Sequence, residues 1–151
     1  MSYTIRSAQA ADWPAIADLL TRAELPLAGA QEHLRNFIIA EADGEVVGTA
    51  GMVVGTAGIE AYGSAGLLRS LAVDPRQRGQ GVGEALVNQV LAEAANDGIT
   101  EVALLTTTAP DYFPRFGFEQ VERSALPAQL TESAEFQGAC PASAVAMLRQ
   151  R

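Results

Sequence analysis

Apolar residues in this chain recur either at alternate positions or three and four apart, and the switches between the two rhythms mark its elements. Residues 3–6 read as a first strand and residues 7–12 as a polar turn. Asp12 is then a helix N-cap, with Pro14 near the first helical positions, where its missing N–H costs nothing. Ile16, Leu19 and Leu20 fall at i, i+3, i+4 and give one apolar face as far as Ala23. Residues 31–37 read as a second, shorter helix, and residues 37–42 and 45–52 as an antiparallel pair around Asp43-Gly44. Residues 67–73 are apolar enough for a central strand. In residues 83–96, Leu86, Val87, Val90, Leu91 and Ala94 form a wide helical stripe that Asp97-Gly98 ends. Residues 101–107 predict a strand, and Thr108 a short helix with Pro110 in its first turn. Phe113, Phe116 and Phe118 read as core, with Gly117 turning the chain into a strand over residues 119–123. Residues 127–141 read as a polar loop with one helical turn, and residues 144–150 as a last strand.

One stretch complicates this order. Val46-Val47-Gly48-Thr49-Ala50-Gly51-Met52 is followed at once by Val53-Val54-Gly55-Thr56-Ala57-Gly58-Ile59. Two near-identical blocks offer two pairing registers, and an odd offset turns every side chain to the opposite face, so one copy must be displaced into a bulge or a longer hairpin. The whole succession predicts an α/β (α+β) fold: a single domain over residues 1–151, with a mixed, mostly antiparallel sheet of about seven strands and helices on both faces.

Composition narrows the function. At 151 residues with 48% hydrophobic and 19% charged, the chain fits one soluble domain, and no apolar run approaches the ~18 residues of a membrane span, which predicts a cytoplasmic protein. A net charge of −8 argues against nucleic acid or an anionic membrane as partner. Cys140 is the only cysteine and His33 the only histidine, so neither a disulfide nor a metal site is expected, and His33 reads as a surface or packing residue. Between Arg69 and Gly83, however, three arginines face one acid, Asp74, and positive potential gathers there.

The same region carries Arg78-Gly79-Gln80-Gly81-Val82-Gly83 between a strand and a helix. Glycines at alternate positions let successive N–H groups turn into one concavity, and the helix start adds its own unpaired N–H groups and dipole. That makes an anion site with Arg76 and Arg78 at its rim, against the plain alternative of a strand-to-helix turn. A Walker loop is excluded, because the chain has no lysine. The segment resembles the Arg/Gln-x-x-Gly-x-Gly/Ala signature of the GNAT superfamily of N-acetyltransferases, whose loop holds the pyrophosphate of acetyl-CoA. Leu105-Thr106-Thr107-Thr108 and Tyr112-Phe113-Pro114-Arg115-Phe116-Gly117-Phe118 resemble the acetyltransferase domain of N-acetylglutamate synthases. Residues 66–73 with Ala134-Glu135-Phe136 and Cys140-Pro141-Ala142-Ser143-Ala144 are similar to arsenic-resistance N-acetyltransferases.

The resemblance implies acetyl-CoA as co-substrate, with no metal, bound by Leu71, Ala72, Val73, Arg78, Gly79, Gln80, Gly81, Val82 and Gly83. It also implies a small amine as acceptor, glutamate-like, with arsenical and phosphinic toxins among the candidates, and Arg69, Ser70 and Thr107 as substrate-binding residues. Homodimers formed by pairing edge strands are a further expectation. Two positions depart from the family pattern: Leu67 stands where many members carry a glutamate base, and Phe113 where they carry a tyrosine acid. Glu60 is the candidate base in its place and Tyr112 the candidate acid, the latter also readable as a packing aromatic. Strict alternation places Leu67, Arg69, Leu71 and Val73 on one face, where a buried Arg69 needs a partner: Glu41, Glu60 or the carboxylate of the substrate. Two other readings remain: an acetyltransferase for another amine or a protein N-terminus, and a CoA-binding sensor without turnover.

Overall fold

The computed structural model describes residues 3–42, 52–77, 81–140 and 143–150. Its elements are β1 (Tyr3–Ser7), α1 (Trp13–Arg22), β2 (Phe37–Ala42), β3 (Met52–Tyr62), β4 (Ala65–Val73), α2 (Val82–Asn96), β5 (Glu101–Thr106), β6 (Glu119–Val121) and β7 (Val145–Gln150). The strands form one seven-stranded sheet in the order β1-β2-β3-β4-β5-β7-β6. Every neighbouring pair is antiparallel except β4 and β5.

Each face of the sheet is covered by a helix whose apolar stripe was legible in the sequence. Leu86, Val87, Val90, Leu91 and Ala94 of α2 pack on Ile38, Ala40, Val54, Ile59 and Leu68. Ile16, Leu19 and Leu20 of α1 pack on the other face, against Phe37, Ile39 and Ala72. In a third cluster, Leu126 and Leu130 of the tail pack with Ala65, Leu67 and Ala103.

Several expected boundaries move. Asp12 does not cap α1; it accepts the N–H of Gln9 at 2.8 Å, closing a 3₁₀ turn, and both guanidinium nitrogens of Arg6 at 2.9 Å. Residues Gln31–Asn36 form a 3₁₀ stretch broken at His33 rather than an α-helix. The helix expected at Thr108 begins later, as a 3₁₀ turn at Phe113–Phe116, because Thr106 ties down the preceding loop by accepting the N–H of Ala109 at 3.1 Å. The strand expected over residues 119–123 stops at Val121, where the chain enters a 3₁₀ turn at Arg123–Ala125.

The second copy of the duplication lies within β3. β2 pairs with Met52–Gly58, the last residue of the first copy and most of the second; residues 46–51 of the first copy and Asp43-Gly44 lie outside those described. The second copy runs directly into Ile59 and Glu60, which pair with Leu68 and Leu67, and this continuity fixes the register. Within the second copy there is a one-residue bulge: Ala40 faces Gly55 and Glu41 faces Val53, leaving Val54 as the extra residue. The choice between a bulge and a longer hairpin for the first copy falls on residues outside those described.

A second bulge matters more. Gly58 pairs with Arg69 and Thr56 with Ala72, so Ser70 and Leu71 of β4 stand opposite the single Ala57. Ser70 takes a left-handed backbone, φ +63°, which is uncommon for a residue with a Cβ. The extra residue breaks the alternation assumed from the sequence. Leu67 joins the tail-covered cluster, whereas Leu71 and Val73 pack toward α2, so these three do not share one face.

Candidate active site

Just before the bulge the sheet opens on the other side of β4. The parallel ladder between β4 and β5 covers only Ala65, Gly66 and Leu67 against Glu101, Val102 and Ala103. Beyond it the strands diverge, and Leu68–Leu71 and Leu104–Ala109 become opposite walls of a cleft of about 390 Å³. Its remaining lining comes from the loop after α1 (Glu24, Leu25, Pro26), from Tyr112 and Phe113, and from Glu135, Ala139 and Cys140 of the tail. Past Leu67 the β5 side of β4 has no strand partner among the described residues, so its backbone N–H and C=O groups there are available to a ligand that lies extended.

The α2 helix starts beside this edge. Gly81, its N-cap, has φ +77°, a conformation that favours glycine, and among the described residues, its chain neighbours aside, no atom lies within 4 Å of where its Cβ would stand. A Cβ on Gly83 would lie 3.3 Å from the Tyr112 hydroxyl and 3.6 Å from Val73. Tyr112, Val73 and the first turn of α2 are therefore in close contact, and Tyr112 spans from the cleft to the helix start. Burial raises the pKa of the Tyr112 hydroxyl above the usual phenol range, opposed by Arg115, whose guanidinium stacks 4.4 Å from the ring centroid. Arg78, Gly79 and Gln80 lie outside the described residues. Arg76 shares its guanidinium with Asp74, at 3.0 and 3.2 Å, which qualifies its expected place as a rim cation.

Arg69 is the centre of the buried polar network. Its side chain is wholly inaccessible, and it donates to Glu60 at 2.6 Å, to the carbonyls of Ala28 and Pro26 at 2.8 and 2.9 Å, and to Ser70 Oγ at 3.0 Å. Of the three partners that the sequence left open, it is Glu60 that pairs with Arg69; Glu41 pairs instead with Arg6 at 3.2 Å. The carbonyl bonds tie the loop after α1 to β4, so Arg69 shapes one wall of the cleft. A guanidinium so engaged is not free to grip a substrate carboxylate in bidentate fashion.

Glu60 does not line the cleft. It is 1% exposed, with one oxygen on Arg69 and the other accepting the Tyr62 hydroxyl, and His33 Nε2 approaches it at 3.5 Å. His33 also faces the Tyr62 ring at 5.8 Å, so the packing role expected of it is joined to this network. Ser70, Thr107, Leu71 and Tyr112 do meet in the cleft, whereas Glu60 stands behind it.

The residue that the sequence reading passed over is Glu135. It opens a wide helical turn, Glu135–Ala139, is 4% exposed, and places Oε2 3.4 Å from Arg69 Nε inside the cleft wall. Burial lifts its pKa above the usual carboxylate range; Arg69 opposes that and Glu60 reinforces it. The Cys140 thiol bonds to Glu135, and burial together with that carboxylate pushes the thiol up to about 12. Two signals pointed to such a residue: an arginine on an apolar strand demands carboxylates, and Glu135 sits between Leu130 and Phe136, which anchor it. Among the described residues no group of side chains is arranged to hold a metal ion, and no helix is long and apolar enough to cross a membrane.

Residues 33–120 match the family model of the acetyltransferase (GNAT) domain, and the chain belongs to that family. It is 30% identical over 135 residues to an amino-acid acetyltransferase of Mycobacterium tuberculosis, covering 83% of this chain and 74% of that one. An uncharacterized N-acetyltransferase of Chlorobaculum tepidum is 30% identical over 99 residues, 66% of this chain and 59% of the relative. The chain spans 29% of the amino-acid acetyltransferases of Neisseria meningitidis that it matches. Among solved structures, N-acetylglutamate synthase from Neisseria gonorrhoeae, complexed with coenzyme A and N-acetyl-glutamate, superimposes with a TM-score of 0.80 at 24% identity. The match covers 99% of this chain and 35% of that one.

Proposed function

We propose that this chain transfers the acetyl group of acetyl-CoA to the amino group of a small amino acid or amino-acid analogue. The observation that supports this reading best is the splay of β4 from β5, which leaves a strand edge free beside the N-terminus of α2. Leu71, Ala72 and Val73 offer that edge to the pantetheine arm, which can lie along it as an added strand. Gly81, Val82 and Gly83 present backbone N–H groups and the positive end of α2 to the pyrophosphate, and Arg78, Gly79 and Gln80 complete the loop. The N–H of Leu71 is the donor assigned to the thioester carbonyl, and Tyr112 the proton donor to the departing thiolate.

Relatives named as amino-acid acetyltransferases direct the choice of acceptor, and glutamate with its arsenical and phosphinic analogues comes first. Arg69 is the only cation among the described lining residues and is already paired. An acceptor carboxylate therefore meets the hydroxyls of Ser70 and Thr107 instead. Release of CoA, followed with a thiol reagent across amino acids, other amines and an N-terminal peptide, tests this; a control without acceptor accounts for Cys140. Turnover of amino acids supports the reading, and turnover of the peptide alone redirects it.

A second reading, a CoA-binding module without turnover, is favoured by one observation: Leu67 and Phe113 are both buried apolar residues. Acetyl-CoA binding without turnover of any acceptor would establish it. A cytoplasmic homodimer belongs to the same proposal, and light scattering of the purified chain together with cell fractionation tests it.

A further inference from the structure

The proposed activity needs a group that takes a proton from the acceptor ammonium, and the cleft holds few that can. Burial, reinforced by the neighbouring Glu135, holds Cys140 as a thiol. Glu24 is exposed at the mouth. Glu60 is committed to Arg69 and Tyr62 and stands outside the cleft. Glu135 alone is a buried carboxyl on the cleft wall, and its position is built rather than incidental. Leu126 and Leu130 are packed against Leu67 and Ala103, with Phe136 beside them, and Ser133 Oγ accepts the N–H of Glu135 at 3.2 Å.

Charge in the cluster is unevenly shared. Two buried carboxylates face one guanidinium, and Glu60 has the short contact at 2.6 Å, against 3.4 Å for Glu135. Arg69 cannot fully compensate both, so the second carboxyl accepts a proton at little cost. The groups facing it are Arg69 from β4, Glu60 from β3 and the Cys140 thiol from its own segment.

From this geometry we infer that Glu135 is the proton acceptor for the attacking amine; this rests on the acetyltransferase reading above. One proton passes from the acceptor ammonium to the Glu135 carboxylate, directly or through one water. The freed nitrogen lone pair forms the C–N bond to the thioester carbonyl carbon, and the C–S bond breaks. The second nitrogen proton passes to the thiolate through Tyr112 or water, and Glu135 returns its own proton to solvent. The products are the N-acetylated acceptor, CoA and one proton.

The test compares the full chain with Glu135→Gln and Glu135→Asp, measuring turnover, acetyl-CoA binding by calorimetry and the pH profile of kcat/KM. Glu135→Gln keeps the shape and is expected to bind acetyl-CoA normally, to lose about 100-fold or more in kcat/KM, and to lose the acidic limb of the profile. Glu135→Asp is expected to recover part of the rate with the limb. Should Glu135→Gln fail to fold, the limb is read in the unaltered chain with acceptors of different amine basicity, and it must stay in place, above the ordinary glutamate range. A Glu135→Gln protein as active as its parent, or a limb that follows the acceptor, overturns the inference and leaves the acetyltransferase reading intact. No turnover by the parent chain on any acceptor overturns both.

Discussion

The guanidinium of Arg69 and the carboxylate of Glu60 meet at 2.6 Å between β4 and β3, although in the backbone ladder Arg69 faces Gly58 and Glu60 faces Leu67. The pair is diagonal, both side chains are almost wholly buried, and the loop carbonyls of Pro26 and Ala28 hang from the same guanidinium. Removing one partner leaves an uncompensated buried charge. Arg69→Ala is expected to cost about 3–5 kcal/mol in urea unfolding. Replacing both residues by leucine is expected to cost less than the sum of the two single changes, because the Glu60 charge is then no longer stranded, while Glu135 loses Arg69 in the single and the double variant alike.

Gly58 and Phe37 form a second constraint between neighbouring strands. They are paired residues of β3 and β2, and a Cβ on Gly58 would lie 2.2 Å from two carbons of the Phe37 ring, which is 1% exposed. The ring is buried, so it must shift within the core to admit the methyl group. Gly58→Ala is expected to destabilise by about 1–3 kcal/mol, and Phe37→Leu in the same chain to recover part of that loss. A double-mutant cycle in denaturant measures the coupling.

Asp74 sets a pH dependence. Arg76, through its side chain and its backbone N–H, holds the carboxyl at about 2, below its ordinary 3.8, and Asp74 is 2% exposed. A depressed folded-state pKa means that the stabilisation is fully present above the unfolded value and is lost as pH falls from about 4 to about 2. Asp74→Asn is expected to be less stable than the parent at neutral pH and to show a flatter decline through that window. Unfolding midpoints at a series of acid pH values check it.

Gly81 separates backbone from side-chain effects at the loop. Its φ of +77° penalises any Cβ, while no described residue other than its chain neighbours crowds the site, so Gly81→Ala acts mainly through the backbone. The expected cost is about 1 kcal/mol of stability. A raised KM for acetyl-CoA with kcat nearly unchanged is expected alongside, and Gly81→Asn should cost less in both. Thermal melts and steady-state kinetics measure the two effects.

Most of the fold was legible in the chain because both helices present their apolar stripes and the glycine segment marks the junction of β4 and α2. The bulge at Ser70 was not, since nothing in a serine announces a left-handed backbone, and strict alternation carried across it misplaced Leu71 and Val73 relative to Arg69. The partner of Arg69 was legible only as a choice, because Glu41 and Glu60 stand on adjacent strands and three-dimensional register decides between them. Glu135 escaped because its segment is polar in composition; what brings it to the cleft is the anchoring of Leu130 and Phe136 on a face of the sheet more than 25 residues earlier in the chain, at Ala103.

The most direct test is amide hydrogen exchange of the full chain with and without acetyl-CoA. Ligand seated in the cleft is expected to slow exchange at Leu71, Ala72 and Val73 and in the first turn of α2, Val82 to Ala85, while α1 and β1 are unaffected. Absence of protection at these amides at a saturating concentration, or protection confined to another face, would contradict the site and the activity proposed for it.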